Sequence, residues 1–141
     1  MSAAQTTEVL GISTTDHPPV LWLSDAVTHG LPVSSLDRVA ELLAPQDKSF
    51  AYRVIPRPTL ARRRSAHAAL SPEEGAKVAR LAEVWTLARE VWGSDEDARA
   101  FLFRKHAMLD MKRPIDVVLV DEFGRKLVEE ILGGLLYGSA V

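Results

Sequence analysis

The sequence contains no cysteine among its 141 residues. The chain therefore cannot form a disulfide, a thiolate zinc site or an iron–sulfur cluster, and it has no cysteine nucleophile. It also lacks the roughly 18 consecutive apolar residues that a membrane span needs, and its start lacks the basic residues and apolar run of a signal peptide. With a composition that is 47% hydrophobic and 26% charged, these absences predict a soluble, cytoplasmic, globular protein.

Recognisable catalytic motifs are missing as well. The four histidines (His17, His29, His67 and His106) lie far apart, and none has the spacing of a metal-ligand pair. No glycine-rich phosphate loop runs into Lys-Ser or Lys-Thr, and no serine sits in a GxSxG turn. Carboxylate pairs such as Glu73-Glu74 fall where solvated helix charge explains them. We therefore expect no catalytic residue, no metal and no cofactor, and we expect that the protein is not an enzyme.

The charge of the chain is balanced overall but uneven along its length. The formal net charge is only -2. Between residues 48 and 64, however, there are six basic residues and no acidic one, whereas acidic residues outnumber basic ones from residue 67 onward. Such an asymmetry marks one segment as a candidate for contact with an anionic partner.

Helix signals recur along the whole chain and predict an all-α fold. The clearest is Ser71-Pro72-Glu73-Glu74, a capping box with proline at the first helical position. It begins a long helix that ends at Gly93, and Ser94 then caps the next helix. Trp85 and Phe101 lie on the apolar stripes of these two helices, so we expect both to be core residues.

Shorter helices are predicted on either side of this pair. Val117 to Val120 has the propensity of a strand but no partner strand, so we assign it to a helix that begins at Pro114. Asp121 can cap the last helix, and Gly133-Gly134 should end or bend it. We expect its buried stripe to be Phe123, Leu127, Val128, Ile131 and Leu132. The other predicted helices are Val20 to His29, a Ser34/Ser35-capped helix to Ala44, Asp47 to Val54, and Pro58 to Ala66.

Two segments have two possible interpretations each. If Asp47 to Val54 and Pro58 to Ala66 form a helix-turn-helix, basic side chains cluster on its second helix and would meet DNA; otherwise they are a solvated face. The uncharged tail Ile131 to Val141 either folds onto its own core or presents Leu136 and Tyr137 to a partner. The expected DNA contacts are Arg57, Thr59, Arg62, Arg63 and Arg64.

Several motifs resemble the Xre/MbcA/ParS antitoxin family in order and spacing. In the first half they are Thr59-Leu60-Ala61-Arg62-Arg63-Arg64, Leu70-Ser71-Pro72-Glu73-Glu74, Ala79-Arg80-Leu81-Ala82 and Ala88-Arg89-Glu90-Val91-Trp92-Gly93. In the second half they are Ala98-Arg99-Ala100-Phe101-Leu102, Arg113-Pro114-Ile115-Asp116-Val117-Val118, and Gly124 with Val128, Leu132 and Tyr137-Gly138. The chain departs from the family at Phe101, where tryptophan is usual, and at Asp110 and Met111, where glycines are frequent. The missing glycines predict a different shape for the loop before Pro114.

The resemblance implies an antitoxin encoded beside a RES-family toxin, whose members destroy NAD or transfer its ADP-ribose. The antitoxin would obstruct the toxin's NAD pocket and also repress its own operon; the alternative is a stand-alone helix-turn-helix regulator. We expect a homodimer or a hetero-oligomer with the toxin, since two-fold operators need two-fold proteins. The expected domains are a loosely ordered lead (1–19), a helix-turn-helix-like region (20–68) and a helical toxin-binding domain (69–141). The expected toxin contacts are Lys112, Arg113, Pro114, Asp116, Gly133, Gly134, Leu136 and Tyr137.

Overall fold

The computed structural model describes residues 3–12 and 19–136, and within these ranges the chain is helical. The only extended pairing among them is one antiparallel bridge between His106 and Lys112, so the expected all-α fold is confirmed. No helix in this part of the chain is long and apolar enough to cross a membrane. The helices are α1 (Ala3–Leu10), α2 (Pro19–His29), α3 (Val33–Leu43), α4 (Ala51–Val54), α5 (Arg57–Ser65), α6 (Pro72–Trp92), α7 (Asp95–Phe103), α8 (Pro114–Val120) and α9 (Glu122–Leu136), with a 3-10 turn at Ala107–Leu109.

Helix α6 is the centre of the fold. It begins at the predicted capping box, in which the Ser71 hydroxyl accepts from the Glu74 N–H and the Glu74 carboxylate accepts from the Ser71 N–H. It ends at Gly93, whose φ of 80° is the left-handed conformation that glycine adopts without strain. Along its 21 residues α6 contacts α1, α2, α3 and α4 in the first half of the chain and α7, α8 and α9 in the second. One helix therefore connects the two halves through a shared core.

The core contains most residues of the predicted apolar stripes of α6 and of the helices packed against it. Trp85 on α6 and Phe101 on α7 are both buried, which confirms that they are core residues. The assignment of residues 117–120 to a helix is also confirmed, because they form the end of α8. The largest fully buried side chains are Phe50, Leu10, Leu31, Leu36, Leu43, Ile55, Leu60, Leu81, Leu102, Ile115, Leu132 and Val39.

The start of the chain differs from the expectation of a loosely ordered lead, which is wrong for residues 3–10. These residues form α1, which packs against α2, α3 and α6 and buries Thr6, Thr7 and Leu10. Two side chains of α3 donate hydrogen bonds to carbonyl oxygens in the last turn of α1. Ser35 Oγ donates to Leu10 O, and the Arg38 guanidinium donates to Val9 O and Glu8 O. Ser35 is therefore a buried partner of α1, and the predicted serine cap of α3 is wrong.

The last helix differs from its predicted buried stripe at two residues. Asp121 caps α9 as predicted, its Oδ1 accepting from the Gly124 N–H at 2.9 Å. Phe123 and Leu127, however, are exposed by 83% and 43%, so their assignment to the core is wrong. Val128, Ile131 and Leu132 are buried. The helix also continues through Gly133 and Gly134 to Leu136, so these glycines do not end it.

The cause of this difference is the contact between α8 and α9. A Cβ placed on Gly124 would overlap the carbonyl oxygen of Val117. The Gly124 backbone therefore lies against α8, and the inward stripe of α9 begins at Gly124 and continues to Val128 and Ile131. Neighbouring positions on a helix differ by about 100°, so Phe123 and Leu127 turn outward.

Candidate functional site

The basic cluster of α5 is divided by its ion pairs. Arg63 donates from Nε to Glu74 Oε1 at 3.1 Å and from Nη2 to Oε2 at 3.3 Å. Arg64 donates from Nη1 and Nη2 to the two carboxylate oxygens of Asp37, at 3.0 and 2.7 Å. These bidentate pairs join α5 to α6 and to α3. Two of the five expected DNA contacts therefore hold α5 in place within this structure.

Glu74 is central to that arrangement because it also completes the capping box of α6. Burial alone would raise the pKa of the Glu74 carboxyl, but the Ser71 backbone N–H and the Arg63 guanidinium outweigh burial, and the pKa is lowered. Glu74 is thus held as a carboxylate, which accepts hydrogen bonds from Arg63 of α5 and from the Ser71 N–H at the start of α6. Glu74 therefore joins α5 to the start of α6, and the Arg64–Asp37 pair joins α5 to α3.

The other three expected DNA contacts, Arg57, Thr59 and Arg62, do not form ion pairs that join α5 to another described helix. Arg62 donates a long 3.4 Å hydrogen bond to Thr59 Oγ1, and it has no ion pair within the described ranges. The Arg57 guanidinium lies 4.0 Å from the centre of the Tyr52 ring, in a cation–π contact, and is exposed. Arg57, Thr59 and Arg62 are therefore the members of the cluster with capacity for an external partner. DNA binding by this cluster stays a prediction.

The loop before α8 contains the next group of expected contacts. Arg113 donates from Nε and Nη2 to Asp116 at 2.8 and 3.0 Å, and Arg53 of α4 donates to the same carboxylate. Hydrogen bonds from Arg113 lower the pKa of Asp116, burial opposes this, and Arg53 lowers it further. Asp116, oriented by Arg113, thus joins α8 to α4 through Arg53. Pro114 is buried in the first turn of α8, whereas Lys112 is exposed and has no ion pair among the residues that the structure describes.

The shape of this loop is fixed by hydrogen bonds to backbone carbonyls, and the loop contains two strained residues. The N–H of His106 donates to Lys112 O, the N–H of Met111 donates to His106 O, and His106 Nε2 donates to Phe101 O. Asp110 and Met111 have φ values of 56° and 60°, in the left-handed region that favours glycine. These are the two positions at which the family resemblance leads us to expect glycine. The chain thus adopts a glycine-type turn without glycine.

Three of the remaining expected contacts, Gly133, Gly134 and Leu136, lie in the last turns of α9. Gly133 and Gly134 are half-buried within the helix, and a Cβ at Gly133 would meet nothing within 4 Å. Tyr137 lies outside the described residues, as does the side chain of Leu136. The expected role of the tail stays a prediction.

Sequence reasoning missed an exposed apolar surface. Val120, at the end of α8, is followed three residues later by Phe123, and Leu127 lies one turn further along α9; all three are exposed. We call these three residues the apolar face. Gly124 is the signal in the sequence that indicates this surface. A glycine can face inward where two helix backbones meet, and if Gly124 faces inward, the neighbouring Phe123 faces outward.

A second charged cluster lies between α6 and α9. Arg125 forms ion pairs with Glu122 and Glu129, and its Nη1 lies 3.7 Å from Glu83 Oε2. Burial raises the pKa of Glu83 to about 6; Arg125 opposes this effect, and Glu129 and Glu122 add to it. Arg80 lies one turn before Glu83, and its Nε is buried with no hydrogen-bond partner in the described part of the chain. This cluster holds α9 on α6.

Comparison with protein families gives two matches in succession. Residues 23–83 match the model described as the antitoxin Xre-like helix-turn-helix domain. Residues 87–138 match the model described as the antitoxin Xre/MbcA/ParS C-terminal toxin-binding domain. A comparison with curated proteins finds no match. The first match contains α3 to α5 and most of α6, and the second contains α7, α8, α9 and the apolar face.

Proposed function

The chain belongs to the Xre/MbcA/ParS antitoxin family, and we propose that it neutralises a RES-family toxin that consumes NAD or transfers its ADP-ribose. The observation that carries this proposal is the succession of a helix-turn-helix model and a toxin-binding model along one chain. The RES assignment is supported by the family resemblance, above all by the segment from Arg113 to Asp116.

Neutralisation would proceed by occlusion. In the proposed complex the toxin-binding half lies over the mouth of the NAD pocket, with the tail from Gly133 and Gly134 through Leu136 and Tyr137 reaching toward it. Lys112 supports this proposal because it is exposed and has no ion pair in the described ranges, so it can offer charge to acidic surroundings. Arg113, Pro114 and Asp116 would act mainly by holding the loop and α8 in position.

We also propose that the helix-turn-helix half binds operator DNA and represses the operon. Arg57, Thr59 and Arg62 on α5 would contact phosphates or base edges, and Arg63 and Arg64 would orient α5 through their ion pairs. Because operators are commonly two-fold, the DNA-bound form would be a dimer or a larger assembly with the toxin. The exposed Arg57 and Arg62 also favour the second candidate, a stand-alone regulator.

Co-expression in a bacterial host separates these candidates. The proposal predicts a RES-family reading frame beside the gene for this chain, and that frame is expressed under an inducible promoter, with and without the chain. An antitoxin restores growth and co-purifies with the toxin. A stand-alone regulator shifts promoter DNA but leaves the toxin active and unbound.

A further inference from the structure

The exposed apolar side chains of this protein are concentrated in one half. Among the residues that the structure describes, eight large apolar side chains are exposed, and seven of them lie within residues 87–138. The exception is Leu21 on α2. Exposed apolar clusters mark interaction sites more often than scattered single residues do. The concentration therefore indicates that this half has a partner.

Within this half the apolar face is built rather than incidental. Asp121 fixes the start of α9, and the contact between Gly124 and Val117 fixes its rotation. Phe123 must then point away from the core, and 83% of it is exposed. Phe123 and Leu127 are four residues apart, so they lie on the same side of α9. An aromatic side chain held outward by a rigid helix can bind with little loss of conformational entropy.

Val120 of the apolar face shares a hollow with the loop before α8. A hollow of about 300 Å³ is lined by Lys112 from that loop, by Val120 from the apolar face, and by Asp116, Val117, Asp121 and Gly124. Met108 and Met111 are exposed on the same loop, and methionine adapts readily to a partner surface. Most of the exposed large apolar side chains of this half thus lie on the loop, at the end of α8 and on α9.

We propose that this surface is where the toxin docks, with Phe123 as the central side chain inserted into an apolar pocket of the toxin. This proposal rests on the proposed function and specifies the face that serves it. The occupant is the toxin because the surface lies within the domain whose model is described as toxin-binding, whereas the helix-turn-helix half exposes only Leu21 among its described large apolar residues. Leu127 lies one turn from Phe123 on the same side of α9 and excludes water around it.

The test measures affinity for a catalytically inactive form of the toxin encoded beside this chain. Isothermal titration compares the full chain with Phe123→Asp, Leu127→Asp and the matched control Leu21→Asp. Each substituted residue is exposed, and thermal melting confirms that each variant is folded. Light scattering measures self-association of each variant without toxin. We expect Phe123→Asp to weaken toxin binding by about 30-fold or more, as a central interface residue does, and Leu21→Asp to leave it unchanged.

The outcomes separate this proposal from the one on which it rests. The docking surface is overturned if the folded Phe123→Asp variant binds the toxin as tightly as the wild type does. In that case the proposed antitoxin function still stands. Loss of self-association in Phe123→Asp with unchanged toxin affinity also overturns it, because the face then joins two copies of this chain. If the wild-type chain itself does not bind the toxin, both proposals fail. Should Phe123→Asp not fold, Phe123→Ser and Leu127→Asp decide the question by the same criteria.

Discussion

Arg63 on α5 and Glu74 on α6 share two hydrogen bonds, and Glu74 is the same residue that closes the capping box of α6. The candidate DNA-reading helix is therefore joined to the start of the helix that forms the centre of the fold. Because Arg64 makes a second pair with Asp37 of α3, α5 is held from two sides. A run of three arginines thus contains two structural residues and one that is free to bind a partner.

The first prediction separates these two roles. Arg62→Ala should keep the wild-type melting temperature but weaken binding to promoter DNA, and it should reduce the slope of log K against log salt by about 0.9 for the lost phosphate contact. Arg63→Ala should lower the free energy of unfolding by about 1 to 2 kcal/mol, since hydrogen bonds to a charged group are lost. Unchanged DNA binding by folded Arg62→Ala would contradict the assignment.

The second prediction concerns two glycines of the same helix. Gly124→Ala should lower the free energy of unfolding by about 1 to 3 kcal/mol, because the new methyl group overlaps the Val117 carbonyl and forces α8 and α9 apart. Gly133→Ala is the matched control. Its methyl group meets nothing within 4 Å, so the helix should gain about 0.5 to 1 kcal/mol. Equal effects in chemical denaturation would show that Gly124 does not set the packing of α9.

The third prediction concerns the strained turn. Met111→Gly should raise the free energy of unfolding by about 0.5 to 1 kcal/mol, because glycine adopts a φ of 60° without the steric cost that methionine has there. Met108→Gly provides the control, since Met108 lies in the 3-10 turn and is not in the left-handed region. That variant should lose stability. A loss of stability in Met111→Gly as well would mean that the turn is not strained at this residue.

The fourth prediction is a pH dependence that comes from Glu83. Burial raises the pKa of its carboxyl from 4.5 to about 6 in the folded protein. Between these two values the folded state keeps a proton that the unfolded state has released, so the contribution of Glu83 to stability decreases as pH rises through this window and is constant above it. The loss contributed by Glu83 should be about 1 to 2 kcal/mol.

Glu83→Gln isolates this effect, because every other titrating group is shared with the wild type. The variant should be more stable than the wild type above pH 6, and the difference should vanish below pH 4.5. Urea unfolding across this range measures it. A difference that does not change with pH would show that Glu83 titrates normally.

Elements governed by local chemistry were predictable from the sequence. The capping box at Ser71, the left-handed end at Gly93 and the Asp121 cap each depend on residues within one turn, and the structure has all three. Trp85 and Phe101 were predictable as core residues because each lies on the apolar stripe of its own helix, and these stripes face neighbouring helices. The all-α class followed from the number of such signals.

Features that depend on distant contacts were not predictable. The rotation of α9 is set by the meeting of Gly124 with α8, and an apolar stripe alone does not show which of two adjacent positions faces inward. Asp37 lies 27 residues before Arg64, and nothing in the spacing indicates that pair. The helix α1 lacks a lasting apolar period, yet Ser35 and Arg38 of α3 satisfy its last turn. Such contacts exist only once the core is assembled.

The most direct test of the central claim is a titration of toxin activity. NAD consumption by a fixed amount of the purified RES-family toxin is followed while the full chain, or a variant ending at Gly134, is added. We expect the full chain to abolish NAD consumption at a fixed stoichiometric ratio, and we expect the shortened variant to stay folded and bind DNA but fail to inhibit. Undiminished NAD consumption in the presence of excess full chain would contradict the account.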